Sequence, residues 1–409
     1  MTSRVTSPYH AGLLDLLFTA TAYPPSIGGA QLYLHSLARA LASRHRVRVA
    51  AQWDTHRTDW LLGTTLRGGT AAARYEYEGV PVHRIALPAA ARWRLLPWVA
   101  AYYALQGPAL RRIAGALADQ IRSDAEGASL VHNCRIGREG LTAASLLVAR
   151  ERGVPFVLTP VHHPRWGSVL HRHYHRLYRE ADAVIALTEA ERRALTALGV
   201  DERRVFVTGM GPILGTDARG ARFRTAHRLG DAPLVLFLGQ KYAYKGADRL
   251  LAAAAAVWSR HPDARFAFLG ARTAHSRRVF AGVRDPRVIE LGEVSLEEKT
   301  DALDASDVFC LPSTQESFGG VFTEAWSLGK PVVGCAIPAV SAVVEHGADG
   351  LVSEPEPAAL SEALNALLDD PARRQALGAR GREKVARLYT WARLAERTEE
   401  VYRAALAGR

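Results

Sequence analysis

The string Leu311-Pro312-Ser313-Thr314-Gln315-Glu316-Ser317-Phe318-Gly319-Gly320-Val321-Phe322-Thr323-Glu324-Ala325 sets two carboxylates around a Phe-Gly-Gly turn. An apolar strand ends at Leu311, and a helix starts near Gly319–Gly320. The first turn of a helix leaves amide groups unpaired and carries a partial positive charge, so it receives phosphate or sugar oxygens. The two glycines allow close approach to the backbone. Glu316 stands just before the helix, and Glu324 lies one turn inside it. A carboxylate can accept from two hydroxyls at once, which suits the vicinal hydroxyls of a ribose. The dipole favours acids near any helix start. That reading suffices for either Glu alone but not for the whole string.

Lys245 closes a Gly-x5-Lys-Gly string running from Gly239 to Gly246, after a strand and before a helix. A ligand or leaving group that carries negative charge is balanced by a cation there. A solvated lysine is less comfortable at a helix start, which favours function. The string is not a Walker loop, which would need Gly-Lys-Ser/Thr. Gly28 and Gly29 also follow a strand and open a helix, a geometry for close approach to a diphosphate or sugar. The competing reading is a flexible turn in a Pro-Gly-rich loop. Pro160-Val161-His162-His163-Pro164 follows a strand ending at Thr159, where exposed loop histidines are a serious alternative to functional ones. His132-Asn133 ends another strand, in a position to line an acceptor side. His171, His173 and His175 do not share one helix face at i, i+2 spacing and read as a solvated face. No Asp-x-Asp motif occurs, so no metal is expected. No Gly-x-Gly-x-x-Gly occurs, which counts against a dinucleotide enzyme.

These residues must be held by elements the chain can build. With 409 residues it is comfortable as two domains. Apolar strands alternate with helices in two series, the mark of doubly wound parallel sheets. The first series has strands at Leu13–Thr19, Val47–Ala51, Leu130–His132, Pro155–Thr159, Ala183–Ala186 and Val205–Thr208, with helices at Gly28–Arg44 and from Glu139. The second has strands at Leu234–Leu238, Arg265–Leu269, Val288–Leu291, Val308–Leu311 and Val332–Cys335. Its helices are Lys245–Arg260, Leu296–Ala305, Gly320–Leu328 and Leu360–Leu368. The polar, Gly-spaced stretch between them reads as a linker. The expected division is residues 1–212, linker 213–231, residues 232–388, and a last helix in 389–409 packing back on the first domain. Ligands in such sheets bind beyond the carboxyl ends of the strands, where the motifs fall.

Composition narrows the class. Hydrophobic residues are 48% and charged residues 23%, as in an ordinary globular protein. No run of about 18 apolar residues suggests a membrane span. The N-terminus lacks the apolar stretch of a secretory signal, and three scattered cysteines suggest neither disulfides nor zinc. A cytoplasmic location is expected. The net charge of +11 comes without a block of basic residues, so nucleic acid is not an expected partner. The segment Arg92–Arg112, with Trp93, Trp98, Tyr102 and Tyr103, reads as a buried helix with a basic end or as an acceptor wall. A membrane-interface patch is not favoured, because Pro97 and Pro108 limit a long amphipathic helix.

Taken in order, the motifs resemble glycosyltransferase family 4, the retaining enzymes of GT-B fold. Glu316 and Glu324 are followed by Gly329-Lys330-Pro331-Val332-Val333. The likeness also takes in Tyr23-Pro24-Pro25-Ser26-Ile27-Gly28-Gly29, Ala186-Leu187-Thr188-Glu189, Phe237-Leu238-Gly239 with Lys245-Gly246, and Ala305-Ser306-Asp307-Val308. The resemblance implies two Rossmann-like domains facing across a cleft, acceptor in the first and donor in the second. It implies transfer, of hexosyltransferase type, from a UDP or GDP type sugar to a hydroxyl, without a further cofactor. Glu324 would hold the ribose and Glu316 would lie beside the reacting sugar. Backbone amides of Phe318, Gly319 and Gly320 would meet sugar hydroxyls. A histidine of the 162–163 pair, His163 by its His-Pro ending, would reach the donor sugar. The family usually has Arg directly after the strand glycine. Here Gln240 stands there with Lys241 next, so either Lys241 substitutes or Lys245 and helix ends hold the diphosphate. A nucleotide-sugar epimerase and a non-catalytic sugar-nucleotide sensor are the alternatives.

Overall fold

A computed structural model describes residues 12–26, 28–53, 65–66, 71–134, 138–163 and 166–408. Ile27 and Pro164, each part of a motif above, lie outside these. The first half runs β1 (Asp15–Ala22), α1 (Gly29–Ala42), β2 (Arg46–Trp53), β3 (Ala73–Tyr77), β4 (Val80–Arg84), α2 (Ala89–Ala100), α3 (Gln106–Ile121) and β5 (Leu130–Cys134). It continues with α4 (Gly140–Arg152), β6 (Phe156–Thr159), α5 (Arg172–Glu180), β7 (Ala183–Ala186), α6 (Glu189–Ala197) and β8 (Val205–Val207). The second half runs α7 (Gly220–Ala226), β9 (Leu234–Leu238), α8 (Ala247–Trp258), β10 (Arg265–Leu269), α9 (Ala274–Phe280), β11 (Val288–Glu290), α10 (Leu296–Ala305) and β12 (Val308–Leu311). It ends with α11 (Gly320–Ser327), β13 (Val332–Cys335), α12 (Pro338–Ser341), β14 (Gly350–Ser353), α13 (Pro357–Leu368), α14 (Pro371–Leu388) and α15 (Trp391–Ala407).

Two sheets result, ordered β3-β4-β2-β1-β5-β6-β7-β8 and β11-β10-β9-β12-β13-β14. All pairings are parallel except β3 with β4. The central strands are buried throughout because helices cover both faces, which is why they read as unbroken apolar runs. Both motif-bearing loops, after β9 and after β12, leave the carboxyl ends of adjacent strands.

Several elements depart from the sequence reading. The β3–β4 hairpin was not anticipated, because its strand β3 alternates half-buried with exposed positions at a sheet edge. Its turn is Glu78-Gly79, both at positive φ (45° and 81°), as a two-residue hairpin turn requires. The expected linker contains α7, which docks on α10 of the second domain. Arg222 pairs with Asp301 at 2.7 Å, and a Cβ on Gly220 would lie 2.6 Å from the Ala305 amide nitrogen. Helix α14 carries few apolar residues but packs tightly, since a Cβ on Gly381 would sit 1.9 Å from Trp326 Cδ1. Pro97 does not end its helix, lying instead inside α2.

His132 does not line an acceptor side. It is fully buried, its Nδ1 2.7 Å from Tyr402 Oη on α15 and its Nε2 2.8 Å from Thr159 Oγ1. Burial pushes its pKa down to about 3, so the ring is neutral. Helix α15 is further held where Trp391 Nε1 donates to the Pro212 carbonyl at 2.8 Å and Arg397 donates to the Thr208 carbonyl at 2.9 Å. Tyr402→Phe leaves a buried ring nitrogen without its partner. It is expected to cost about 1–3 kcal/mol, read as a lower urea midpoint at unchanged slope.

Candidate functional site

Lys245 and Glu316 are brought together by backbone geometry. Gly246 takes φ 76°, and a Cβ there would lie 2.2 Å from the Pro312 carbonyl oxygen, so only glycine lets the two loops touch. Thr314 N–H then donates to the Tyr244 carbonyl at 2.8 Å. The contact sets Lys245 Nζ 2.5 Å from Glu316 Oε1, both side chains largely buried. The ammonium also lies 5.7 Å from the Tyr244 ring centroid, and that ring stacks on Tyr242.

Helix α11 begins at the same place. Its N-cap is Gly319, left-handed at φ 81°, and no side chain caps it. A Cβ on Gly320 would lie 2.7 Å from the Met210 side chain, which follows the last strand of the first sheet, so this glycine permits close contact between the halves. The Phe318 ring is buried edge-on against Tyr389. Glu324 is 4% exposed, with Oε1 2.9 Å from Lys299 Nζ; that ammonium also donates to the Ile213 carbonyl at 2.5 Å. Burial pushes the Glu324 carboxyl up, against the opposing pull of the Lys299 ammonium. Its Oε2 is buried and makes no hydrogen bond of ordinary geometry among the described residues, although the Ile213 backbone lies near enough to help lower the carboxyl's pKa. Buried carboxylate oxygens ordinarily make such a bond, so the atom is a candidate for ligand hydroxyls.

The histidine loop meets this cluster from the first domain. Ser317 Oγ, next to Glu316, donates to the His162 carbonyl at 3.1 Å. The His162 ring is buried edge-on against Tyr178. The His163 ring instead lies 6.0 Å from the ring of Tyr244, the residue before Lys245. Val161 just before them takes φ 49°, a costly conformation for a β-branched residue. Glu191 holds the loop in place: Oε1 accepts from His162 N–H at 2.5 Å and Oε2 from Leu187 N–H at 2.7 Å.

Gly28 and Gly29 open α1 beyond β1, with no side-chain cap on the helix. Beside Gly28 lies the Gln31 amide, fully buried with neither polar atom hydrogen-bonded among the described residues. No contact among the described residues ties these glycines to the Lys245–Glu316 cluster. Gln240 is half-buried and uncharged. Lys241 must be corrected as a phosphate clamp. It is wholly buried, and its ammonium is bound by Glu290 and by the Phe268 and Leu291 carbonyls at the β10–β11 edge. A cation so enclosed does not reach the cleft without breaking a buried pair.

Two residues that the sequence reading missed adjoin the candidate site, Lys299 and Glu191, and a third, Gln31, lies beside Gly28. The pattern Thr188-x-x-Glu191, a capping-box spacing, was the legible signal for Glu191. Nothing local marks the other two. Burial pushes the Glu191 carboxyl up to about 7 from an ordinary 4.5. The folded state then binds more protons than the unfolded one between those values, so stability falls as pH rises through that window. Glu191→Gln is expected to flatten that slope relative to the parent in urea titrations from pH 4 to pH 8. An unchanged slope would show that Glu191 does not titrate there.

Comparison with known proteins agrees with this geometry. The family model described as "Glycosyl transferase 4-like domain" matches residues 28–211, and "Glycosyl transferases group 1" matches residues 232–370. A D-inositol 3-phosphate glycosyltransferase of Kineococcus radiotolerans is 36% identical over 255 residues, covering 56% of this chain and 58% of that protein. The alpha-D-kanosaminyltransferase of Streptomyces kanamyceticus is 30% identical over 236 residues, covering 55% and 61%. The chain thus spans a little under two thirds of these relatives. Among solved structures, Anabaena Alr3699/HepE in complex with UDP-glucose aligns with a TM-score of 0.73 at 18% identity, covering 95% of this chain and 98% of that one. Sucrose-phosphate synthase from Thermosynechococcus elongatus aligns with a TM-score of 0.74 at 21% identity, covering 97% and 100%. At such identities these likenesses speak for the fold. With one matching model on each half and the two-sheet GT-B architecture between them, the chain belongs to glycosyltransferase family 4.

Proposed function

We propose that this chain is a retaining glycosyltransferase of hexosyltransferase type, using a UDP or GDP type sugar and a hydroxyl acceptor. The observation that carries the reading is the pair of Lys–Glu contacts around the head of α11, Lys245–Glu316 and Lys299–Glu324, with Glu324 Oε2 making no ordinary hydrogen bond among the described residues. In this reading Glu324 receives the ribose hydroxyls. The diphosphate draws Lys245 from Glu316, which leaves Glu316 beside the donor sugar. Amides around Phe318, Gly319 and Gly320 meet sugar hydroxyls, and the uncapped start of α1 at Gly28–Gly29 approaches the diphosphate from the opposite side. Lys245 and helix ends supply the positive charge, while Gln240 contributes only a dipole.

The family resemblance implies a same-face reaction. The bond from sugar C1 to the diphosphate oxygen breaks as the acceptor oxygen bonds to C1 on the same face. The acceptor proton passes to the departing phosphate oxygen, whose charge Lys245 balances. His163 lies at the reacting face. The matched relatives are transferases, which lends nothing to the epimerase alternative.

A thermal-shift series with UDP, GDP, ADP and TDP tests the donor. The nucleotide that fits should add about 2.7 kcal/mol of stability at 100 times its dissociation constant. The solved neighbour with UDP-glucose makes UDP the first to try. No stabilisation by any of the four refutes the donor reading. An inverted anomeric centre in the product, read by proton NMR, refutes retention. Turnover of the donor to an epimer without acceptor would favour the epimerase.

A further inference from the structure

Helix α2 is apolar on two sides. Leu95 and Val99 are buried under it, yet Trp93 is 75% exposed and Leu96 is exposed on its outer face. The strip continues into the next turn through exposed Tyr103 and Leu105. A second apolar tip lies at the Leu105 end of this strip. The 3-10 turn Val169–His171 presents Val169, also 75% exposed, and Leu170. Gln106 Nε2 donates to the Leu170 carbonyl at 3.3 Å, so this turn sits at the start of α3 beside Leu105. A helix that is apolar toward both core and solvent leaves a face uncovered, and contiguous exposed apolar surface of this kind marks an interaction site.

The surroundings carry one sign of charge. No Asp or Glu occurs between Glu78 and Asp119, or between Glu151 and Glu180. These two stretches build the face. Arg94, Arg111, Arg112 and Arg172 are exposed around it. His173 reports the local field: after its burial, the cations of Arg172, Arg176 and Arg111 hold its pKa down. Arg176 is itself engaged by Glu180 at 2.6 Å.

We propose that this face docks on an anionic lipid bilayer, with Trp93, Leu96, Val169 and Leu170 entering the headgroup–acyl boundary and the arginines meeting lipid phosphates. Aromatic and aliphatic tips within a rim of basic residues fit that boundary. A second copy of the chain would oppose like charges across the contact. Nucleic acid would leave the apolar centre uncovered. Val169 follows the histidine loop at the cleft by a few residues, so docking sets the cleft mouth near the bilayer surface.

The test is co-sedimentation of the full chain with vesicles of phosphatidylglycerol and phosphatidylcholine, against phosphatidylcholine alone. Binding to the anionic vesicles is expected, weakening as salt rises. The double variant Trp93→Ser with Val169→Ser keeps the net charge and should lower the bound fraction about tenfold. Arg111→Gln with Arg112→Gln should lower it as well. Thermal melts matching the parent establish that these surface variants fold. Absence of binding to anionic vesicles overturns the proposal. So does parental binding by the double variant, which would assign the attraction to general positive charge. A parental dimer that the double variant disperses would make the occupant a second copy. None of these outcomes depends on the transferase reading, which the nucleotide series tests alone.

Discussion

Replacing Lys245 with alanine is expected to lower kcat roughly 100- to 1,000-fold, the scale for removing one group that balances charge developing in the transition state. The bound donor would lose its nearest cation, and Gln240, with no charge, cannot replace it. The resting protein should lose some stability as well. Lys245 and Glu316 are only 20% and 8% exposed, so removing the lysine leaves a largely buried carboxylate without its cation, and kcat is compared per folded molecule. Lys241 supplies the control. Lys241→Met breaks a buried pair and should destabilise the fold by about 3 kcal/mol, leaving kcat per folded molecule unchanged. If Lys245→Ala turns over at the parental rate, or if Lys241→Met carries the catalytic loss instead, the assignment of the phosphate cation is wrong.

Glu324→Ala is expected to weaken binding of the nucleotide diphosphate by about 1.5–3 kcal/mol, roughly ten- to a hundredfold, the worth of hydrogen bonds to a charged group. Part of any such loss could come from Lys299, which the variant leaves with the Ile213 carbonyl as its partner. A 2′,3′-dideoxynucleotide separates the two. It has no ribose hydroxyls for Glu324 to receive, so parent and variant should bind it equally, and the coupling belongs to the hydroxyl contact. Titration calorimetry on the four combinations measures this. Equal affinity of both proteins for the ordinary nucleotide would remove Glu324 from the site, and a loss that persists with the dideoxy compound would reassign it to a structural role.

What was legible depended on how local the determinant is. The strands of both sheets announced themselves as short apolar runs, because a strand covered on both faces has no polar side to show. The loops after β9 and β12 were legible because glycines at Gly246, Gly319 and Gly320 mark close approach or positive φ. The β3–β4 hairpin was not, since the edge strand β3 buries nothing fully and β4 offers only Val80 and Val82 to the core. Helix α14 was not, since Gly378 and Gly381 do its packing by being small, and smallness leaves no periodic apolar signal. Helix α2 showed the limit of pattern reading in the other direction. Its aromatic residues suggested burial, and only tertiary placement puts Leu95 inside and Trp93 outside.

The sequence by itself determined the doubly wound architecture and the family resemblance and singled out Glu316, Glu324 and Lys245 as candidates, because strand burial, glycine geometry and motif order are written within a few residues of one another. The tertiary structure decided the partners. Lys245 meets Glu316 across 71 positions, Lys299 reaches Glu324 from the neighbouring helix, and Glu191 grips the histidine loop from 29 positions away. It also decided that Lys241, adjacent to Gln240 in the chain, belongs to the core. A one-residue step past the end of a strand turns a side chain from the cleft to the sheet edge, and no spacing rule in the chain records which way it turns.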